Sequence, residues 1–531
     1  MLLAGYPLDE NMNPIKTVDR FDANNSDAYK GDYFYLLVSP DGEVTCKKSV
    51  ICSYQLYSSY SNGVGVLASR ASLAAISATN TKKADPSIDF ARWICTYGGG
   101  GNRAGTFVGT EIVLSNQSID TSNGALKISD PDYGFMIDAD LQSTYRRSPK
   151  KYWDDVFDEL IQSTAVLDFS DKEIEFPLSG GKDSRLLLGL ITAGGRKDRI
   201  RRIFTNGPTV SPEVRAAQMV CKALKLPHEH IDQTNIDRPQ GFSADDKLLR
   251  HVHLTEGEMS LSDLTWNSAR ADIIQLHGIE SGLRNVYQKR DLSSREKLLE
   301  WFDIHLVGGD KCQLYVDGMA EKNMDEVRTF IDGAMRAGVL ESDIATLHRT
   351  LLRSGRWVGR TWRSYNDRFF APYLFVNANL IKATYNCGDA ARAREEFHFE
   401  MMRRVAPDLV SIPFYGQSWD KELAALVDTK LPAPIDWPEG TKPQATRPMH
   451  QALYNAYPAV REFLTNYQGP VIDQLLDRDK LASFEIKDAH PSFYLAFWNF
   501  IQIVILERTS DLRELRSDAP VTDLGLPSFN Y

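Results

Sequence analysis

The sequence predicts an α/β protein, and three features carry that expectation. The first 150 residues hold short, turn-punctuated apolar runs of strand type. From residue 151 strands alternate with helices in a βαβαβ rhythm. Beyond about residue 290 the pattern is mostly helical. Such alternation implies a doubly wound parallel sheet, whose ligands bind beyond the carboxyl ends of the strands. Two domains are expected, 1–150 and 151–531, the second with a helical C-terminal part.

In the first part, DYFYLLVS (32–39) reads as a strand, PDG (40–42) as a turn and EVTCKK (43–48) as the return strand of a hairpin. GVGVLAS (63–69) is a further strand and SLAAISA (72–78) a short helix. YGGGGNRAGT (97–106) reads as a flexible loop, because it lacks the strand before it and the Lys-Ser pair after it that a phosphate loop has. SPKKYWDDVFDELIQSTAVL (148–167) has a helical period, with Trp153, Val156, Phe157, Leu160 and Ile161 on one face.

In the second part, EIEFPL (173–178) is a strand and SRLLLGLITAG (184–194) a helix closed by glycine. IRRIFTNG (200–207) is a strand. SPEVRAAQMVCKALKL (211–226) is a helix with Ser211 as N-cap and Pro212 at its first position. HEHID (228–232) is a short strand. The basic run of Arg196, Lys197, Arg199, Arg201 and Arg202 reads as a solvated helix end and loop.

Composition bounds the rest. The chain has 531 residues, 43% of them hydrophobic and 25% charged, with a formal charge of −10. That is the composition of a folded globular protein and argues against one that grips nucleic-acid backbone. Cys46, Cys52, Cys95, Cys221, Cys312 and Cys387 are scattered with no C-x-x-C pair, so neither a disulfide framework nor a structural zinc site is expected. A reducing, cytoplasmic setting follows from the same spacing and from an N-terminus without a signal-peptide pattern. FYLAFWNFIQIVIL (493–506) is too short to span a bilayer and carries Asn499 and Gln502, so a buried helix is expected and no membrane partner.

FPLSGGKDSRLL (176–187) is the stretch that reads as machinery. A strand, then Ser179-Gly180-Gly181-Lys182-Asp183-Ser184, then a helix is the setting in which backbone N–H groups turn inward on an anion. Ser179 and Ser184 bring hydroxyls, Lys182 a cation, and Asp183 a carboxylate able to hold Mg²⁺. A Walker loop needs glycine where Phe176 stands, so cleavage of the β–γ bond of a nucleotide is disfavoured.

The pattern resembles the PP-loop, S-G-G-x-D-S, of ATP pyrophosphatases. With SPEVRAAQMVCKALKLPHEHI after it, it is similar to the synthetase domain of the asparagine synthetase superfamily. GDYFYLLVSPDGEVTCKKSVICSYQLYSSYSNGVGVLASRASLAAI is similar to the second half of that superfamily's class II glutaminase domain. RFFAPYLFVNANLIKATYN (368–386) and APDLVSIPFYGQSW (406–419) are similar to its later segments. The resemblance implies a degenerate, Ntn-hydrolase-like N-terminal domain and an adenine nucleotide α hydrolase-like second domain. It also implies ATP and Mg²⁺ as cofactors. The N-terminal nucleophile of the glutaminase is missing, since residue 2 is leucine and the first cysteine is Cys46. Ammonia release from glutamine is therefore not expected. The domain is read as structural, or as a docking surface for a peptide or protein partner.

The family's second, acidic loop has its best counterpart in DIIQLHGIESGLRN (272–285). Glu280 stands in place of an aspartate and serves as second metal ligand. Gly278 and Gly282 permit close backbone approach, Arg284 meets phosphate oxygens, and His277 is a strand-end residue that could contact the leaving group. Lys421, in SWDKEL, is a candidate for a cation that stabilises the acyl-transfer transition state. Glu213 is a favourable acid in a first helical turn. Glu256, Glu258 and Asp263, in TEGEMSLSD (255–263), read first as a solvated acidic loop and second as a substrate-binding group. HVH (251–253) and HEH (228–230) share a face if in strands, without a further ligand for a metal.

The function expected is an AMP-forming carboxylate–amine ligase, as in the β-lactam synthetase and lasso-peptide cyclase branches. Its substrate would be a small molecule or peptide carrying both carboxylate and amine. The alternatives are PP-loop adenylation of a nucleobase or tRNA oxygen, and a non-catalytic nucleotide- or partner-binding protein descended from a synthetase.

Overall fold

The computed structural model describes residues 1–121, 124–232, 244–261, 270, 272–276, 278, 291–307, 314–361, 370–426, 431–441, 448–485, 492–510 and 526–527. The first 150 residues are antiparallel. Strands β1 (Leu2–Gly5), β2 (Tyr33–Val38) and β3 (Val44–Lys48) form one sheet in that order. The expected hairpin is β2–β3, with Val38 opposite Val44. A second sheet, in the order β5-β4-β6, contains β4 (Tyr57–Ser61), β5 (Val64–Ala68) and β6 (Thr110–Ile112). Helices α1 (Ala71–Thr79) and α2 (Ile88–Tyr97) follow β5, and β7 (Ile119–Asp120) pairs with β8 (Lys127–Ile128). α3 (Ala139–Arg147) and α4 (Pro149–Ser163) lead into the second part. On α4 Trp153, Val156 and Leu160 are buried, as the helical period requires.

The second part is built on a parallel sheet of β9 (Glu173–Pro177), β10 (Ile200–Asn206), β11 (Glu229–Ile231) and β12 (Ile273–Gln275), in the order β11-β10-β9-β12. α5 (Lys182–Ala193) joins β9 to β10, and α6 (Pro212–Leu224) joins β10 to β11. The chain thus runs outward from β9 to β11 and returns to the other side of β9 as β12. Strand order reverses between β9 and β12, which is where an open α/β sheet leaves a crevice at its carboxyl edge. Phe370 bridges in parallel to Ile274, so the 370 segment lies alongside β12.

Helices dominate the remainder. The helix Ser492–Arg508 packs on α2 and α7 (Ala244–Thr255). Two of its polar residues bond to neighbouring segments: Asn499 accepts from Ser260 Oγ (2.9 Å) and donates to Ile94 O (2.7 Å). Gln502 donates to Gly257 O (2.6 Å). Among the described residues no helix is long and apolar enough to cross a membrane. One buried cluster runs from Leu8 to Leu506, so residues on both sides of position 150 share a core.

Two loop expectations need correction. The glycine run at 98–101 is packed inside, not left free. A Cβ at Gly100 would overlap the Arg356 guanidinium, and one at Gly101 the Trp93 ring. Arg356 is fully buried and pairs with fully buried Glu258 (Nε–Oε2 2.6 Å). The same guanidinium donates to Asn102 O (2.7 Å) and Ala104 O (2.6 Å). Glu256 and Glu258 are likewise not a solvated acidic loop. Glu256 accepts from the Ala71 and Ser72 amides (2.9 and 3.1 Å) and caps α1. Both carboxylates hold the two parts together, so neither is available to a substrate. Asp263 lies outside the described residues.

Candidate functional site

The site is built from the end of β9 upward. Ile174 and Phe176 are fully buried and fix the strand in the core. Leu178 N donates to Phe204 O (2.8 Å), and Thr205 Oγ1 donates to Leu178 O (2.6 Å). The strand is thus clamped to β10 up to the residue before the loop. Ser179 and Ser184 then close the loop across its mouth, with hydroxyls 2.8 Å apart. Ser179 N donates to Ser184 Oγ (3.2 Å), and Gly181 N donates to Ser179 Oγ (3.2 Å). α5 begins at Lys182 with no side-chain cap on its N-terminus, since Gly181 has nothing to offer. The first-turn amides of such a helix have no intrahelical acceptor and present a partial positive charge to an anion. α6, one crossover later, is capped by Ser211 as expected.

Two glycines let other elements reach this loop. A Cβ at Gly180 would lie 3.0 Å from Glu213 Cα, so glycine lets the start of α6 pack against the loop. A Cβ at Gly278 would lie 2.5 Å from Ser184 Cα and 2.9 Å from the Asp183 carbonyl carbon. The loop after β12 therefore touches the first turn of α5 backbone to backbone. Gly278, from the second segment singled out in the sequence, thus meets the first one beyond the carboxyl ends of β9 and β12.

The charged residues of the loop are arranged differently from expectation. Lys182 is 3% exposed. Its ammonium pairs with Glu395 and lies 4.9 Å from the centre of the Trp419 ring and 5.3 Å from that of Phe414. Lys182 is thus committed to an internal ion pair, not to the exposed face that Ser179 and Gly181 form. Asp183 is partly exposed, and its Oδ1 is 2.7 Å from Nε2 of fully buried His398. Arg185 is fully buried: it donates to Ile412 O (2.7 Å), Pro413 O (3.0 Å) and Gly180 O (3.3 Å), and its guanidinium lies 3.9 Å from the centre of the Phe414 ring. Burial pulls its pKa down to about 9. It ties the loop's own carbonyl to the 409–413 segment.

Other candidates fall into place. His277, Glu280, Gly282 and Arg284 lie outside the described residues. Lys421 is exposed at the start of a short helix; from its segment it is Trp419 that reaches Lys182. His251 and His253 sit on α7, not on a strand, so two positions apart they diverge by about 200°. His228 Nε2 is 2.9 Å from Thr205 Oγ1, and His230 Nε2 is 2.6 Å from Gly207 O. Among the described residues no three His, Cys, Asp or Glu side chains converge as metal ligands. Cys46 is pushed up to about 11 by burial, and burial beside the Asp32 carboxylate raises Cys52 well above the ordinary thiol range. Neither thiol is poised as a nucleophile.

Glu395, His398 and Trp419 are the residues of this neighbourhood that sequence reading missed. REEFHFE (394–400) places Glu395 and His398 three residues apart, which is a shared helical face. Nothing local links them to a loop more than two hundred residues earlier. No family model matches the chain, and no curated protein matches it either.

Proposed function

We propose that the loop 178–184, together with the segment entering at Gly278, binds the phosphates of ATP, and that the protein is an AMP-forming carboxylate–amine ligase. The observation that carries the reading is the meeting of two loops at the carboxyl edge of adjacent parallel strands, over an uncapped helix N-terminus. A phosphate chain laid there would receive the first-turn amides of α5 and the hydroxyls of Ser179 and Ser184.

Mg²⁺ fits the residues present. It takes one or two carboxylates, completing its shell with phosphate oxygens and water. Asp183 would be one ligand and Glu280, from the second loop, the other. The metal would neutralise charge on the leaving pyrophosphate. The protein's contribution is placement: holding the α-phosphorus in line with a substrate carboxylate and stabilising developing charge with fixed dipoles. In this reading Lys182 organises the loop from behind. An amine of the same substrate, or of a second one, would then displace AMP and form the amide.

The test is product analysis. Purified protein is incubated with ATP, Mg²⁺ and a panel of amino acids and linear peptides labelled with ¹⁸O in the carboxylate. AMP carrying ¹⁸O, with pyrophosphate, is the expected result. ADP and phosphate, or unlabelled AMP, refutes it; label-free AMP on RNA or nucleobase substrates would move the reading to the oxygen-adenylating alternative.

A further inference from the structure

We propose that the turn Glu395–His398 is the positioning device of the phosphate loop, with His398 aiming the Asp183 carboxylate and Glu395 locking the first turn of α5. The inference rests on the ATP-binding reading above and adds to it the residues that set the loop's geometry.

Lys182 and Asp183 are the first two residues of α5. Neighbouring helical residues point about 100° apart, yet both side chains are met by one turn, Lys182 by Glu395 and Asp183 by His398. Two bonds in different directions between the same two elements fix rotation as well as separation. The start of α5 cannot turn about its axis without breaking one of them.

The turn is itself held from three sides. Glu396 accepts from Trp153 Nε1 (2.7 Å) and Tyr145 Oη (2.9 Å), on α4 and α3. Arg394 donates to Glu422 (2.6 Å), which follows the Trp419 segment covering the Lys182 ammonium. Glu395 adopts the left-handed region, with φ +58°, at the cap of the helix Glu396–Val405. A non-glycine residue keeps that conformation only where its surroundings over-determine it.

His398 supplies the second, independent sign. It is fully buried, and its Nδ1 has no hydrogen-bond partner. A carboxylate oxygen only accepts, so Nε2 is the nitrogen that donates, to Asp183 Oδ1. A residue retained with one nitrogen unsatisfied is explained by what its other nitrogen does, which is to orient a single carboxylate oxygen. That carboxylate stands in the loop itself, on a partly exposed residue.

The experiment measures ATP affinity with and without Mg²⁺, and the Mg²⁺ concentration at half-saturation. The proteins are wild type, His398→Ala, His398→Gln and Glu395→Gln. A glutamine amide can donate from close to the position of Nε2. His398→Ala is expected to weaken Mg·ATP binding about tenfold or more and to raise the Mg²⁺ requirement. Binding of metal-free ATP should change less than about threefold, and His398→Gln should restore most of the loss. Glu395→Gln should weaken both forms of ATP to a similar extent, because it loosens the helix start and not the carboxylate. If His398→Ala does not fold, the Gln variants carry the same comparison, His398→Gln near wild type and Glu395→Gln weakened. Unchanged Mg·ATP binding in His398→Ala, equal loss with and without Mg²⁺, or no rescue by glutamine overturns the inference while ATP binding stands. Wild-type protein that binds no ATP removes both.

Discussion

Replacing Glu258 with alanine should destabilise the protein by about 3–5 kcal/mol, the cost of leaving one partner of a buried ion pair behind. Glu258 and Arg356 are both fully buried and share two contacts, Nε–Oε2 at 2.6 Å and Nη2–Oε1 at 2.8 Å. Opposite charges 4 Å apart attract by roughly 4 kcal/mol at an effective dielectric of 20, consistent with that range. Without Glu258 the guanidinium keeps the Asn102 and Ala104 carbonyls and the Phe90 ring face but no counter-charge among the described residues. The Tyr57 hydroxyl, 3.3 Å from Glu258 Oε1, keeps its bond to Gln55 Oε1 at 2.7 Å. Gly100 and Gly101 pack on Arg356 and Trp93, so the loss should spread along that loop. Urea unfolding followed by tryptophan fluorescence reads it, with fully buried Trp93 as a neighbouring reporter. The double variant Glu258→Leu with Arg356→Met should be markedly more stable than Glu258→Ala, since an apolar pair leaves no unpaired charge. A single-variant loss below about 1 kcal/mol, or a double variant no better than the single, would refute the reasoning.

Two further predictions follow from the same kind of geometry. Gly278→Ala should cost about 1–3 kcal/mol of stability, because the new Cβ meets backbone atoms of Asp183 and Ser184 that cannot swing aside; Gly181→Ala, whose Cβ would meet only the Ser179 hydroxyl at 3.2 Å, should cost far less, and equal unfolding midpoints would show that the two loops do not touch. His348, buried against Phe302 and Phe330 and donating to Gly101 O, has its pKa pulled down to about 4 by burial. The unfolded chain takes up that proton first, so stability contributed above pH 6.5 is lost as pH falls toward 4, by at most roughly 3 kcal/mol in all. His348→Gln should flatten the pH profile of urea unfolding across that interval; an unchanged profile would assign the acid sensitivity elsewhere.

Much of the fold was legible because its causes are local. Alternating and branched runs marked β2, β3, β5, β9 and β10. Ser211 before Pro212 marked the start of α6, and a helical period with a single apolar face marked α4. The apolar run at 493–506 is too short for a bilayer and marks a buried helix. The strand–loop–helix at 173–193 was legible for the same reason, since strand, glycines and helix are consecutive in the chain. Where reading failed, the deciding partner was distant. HVH looks the same on a strand or a helix until α7 is seen. The glycine run at 98–101 reads as a loose loop unless Arg356, some 250 residues later, is known to lie against it. Glu256 and Glu258 read as solvated acids because nothing nearby announces the α1 N-terminus or the Arg356 side chain.

What the sequence by itself determined, then, is the order of elements, the strand–loop–helix at 173–193 and the caps and turns that start and stop it. These depend on contacts within a few residues, where backbone geometry and hydrophobic period suffice. Only the tertiary structure decided that Lys182 turns inward to Glu395, that Asp183 is met by His398, and that Gly278 touches the first turn of α5. Those outcomes depend on how helices and loops separated along the chain pack together. Burial then selects which charges pair, because an unpaired charge in the interior costs more than a neighbouring segment can supply.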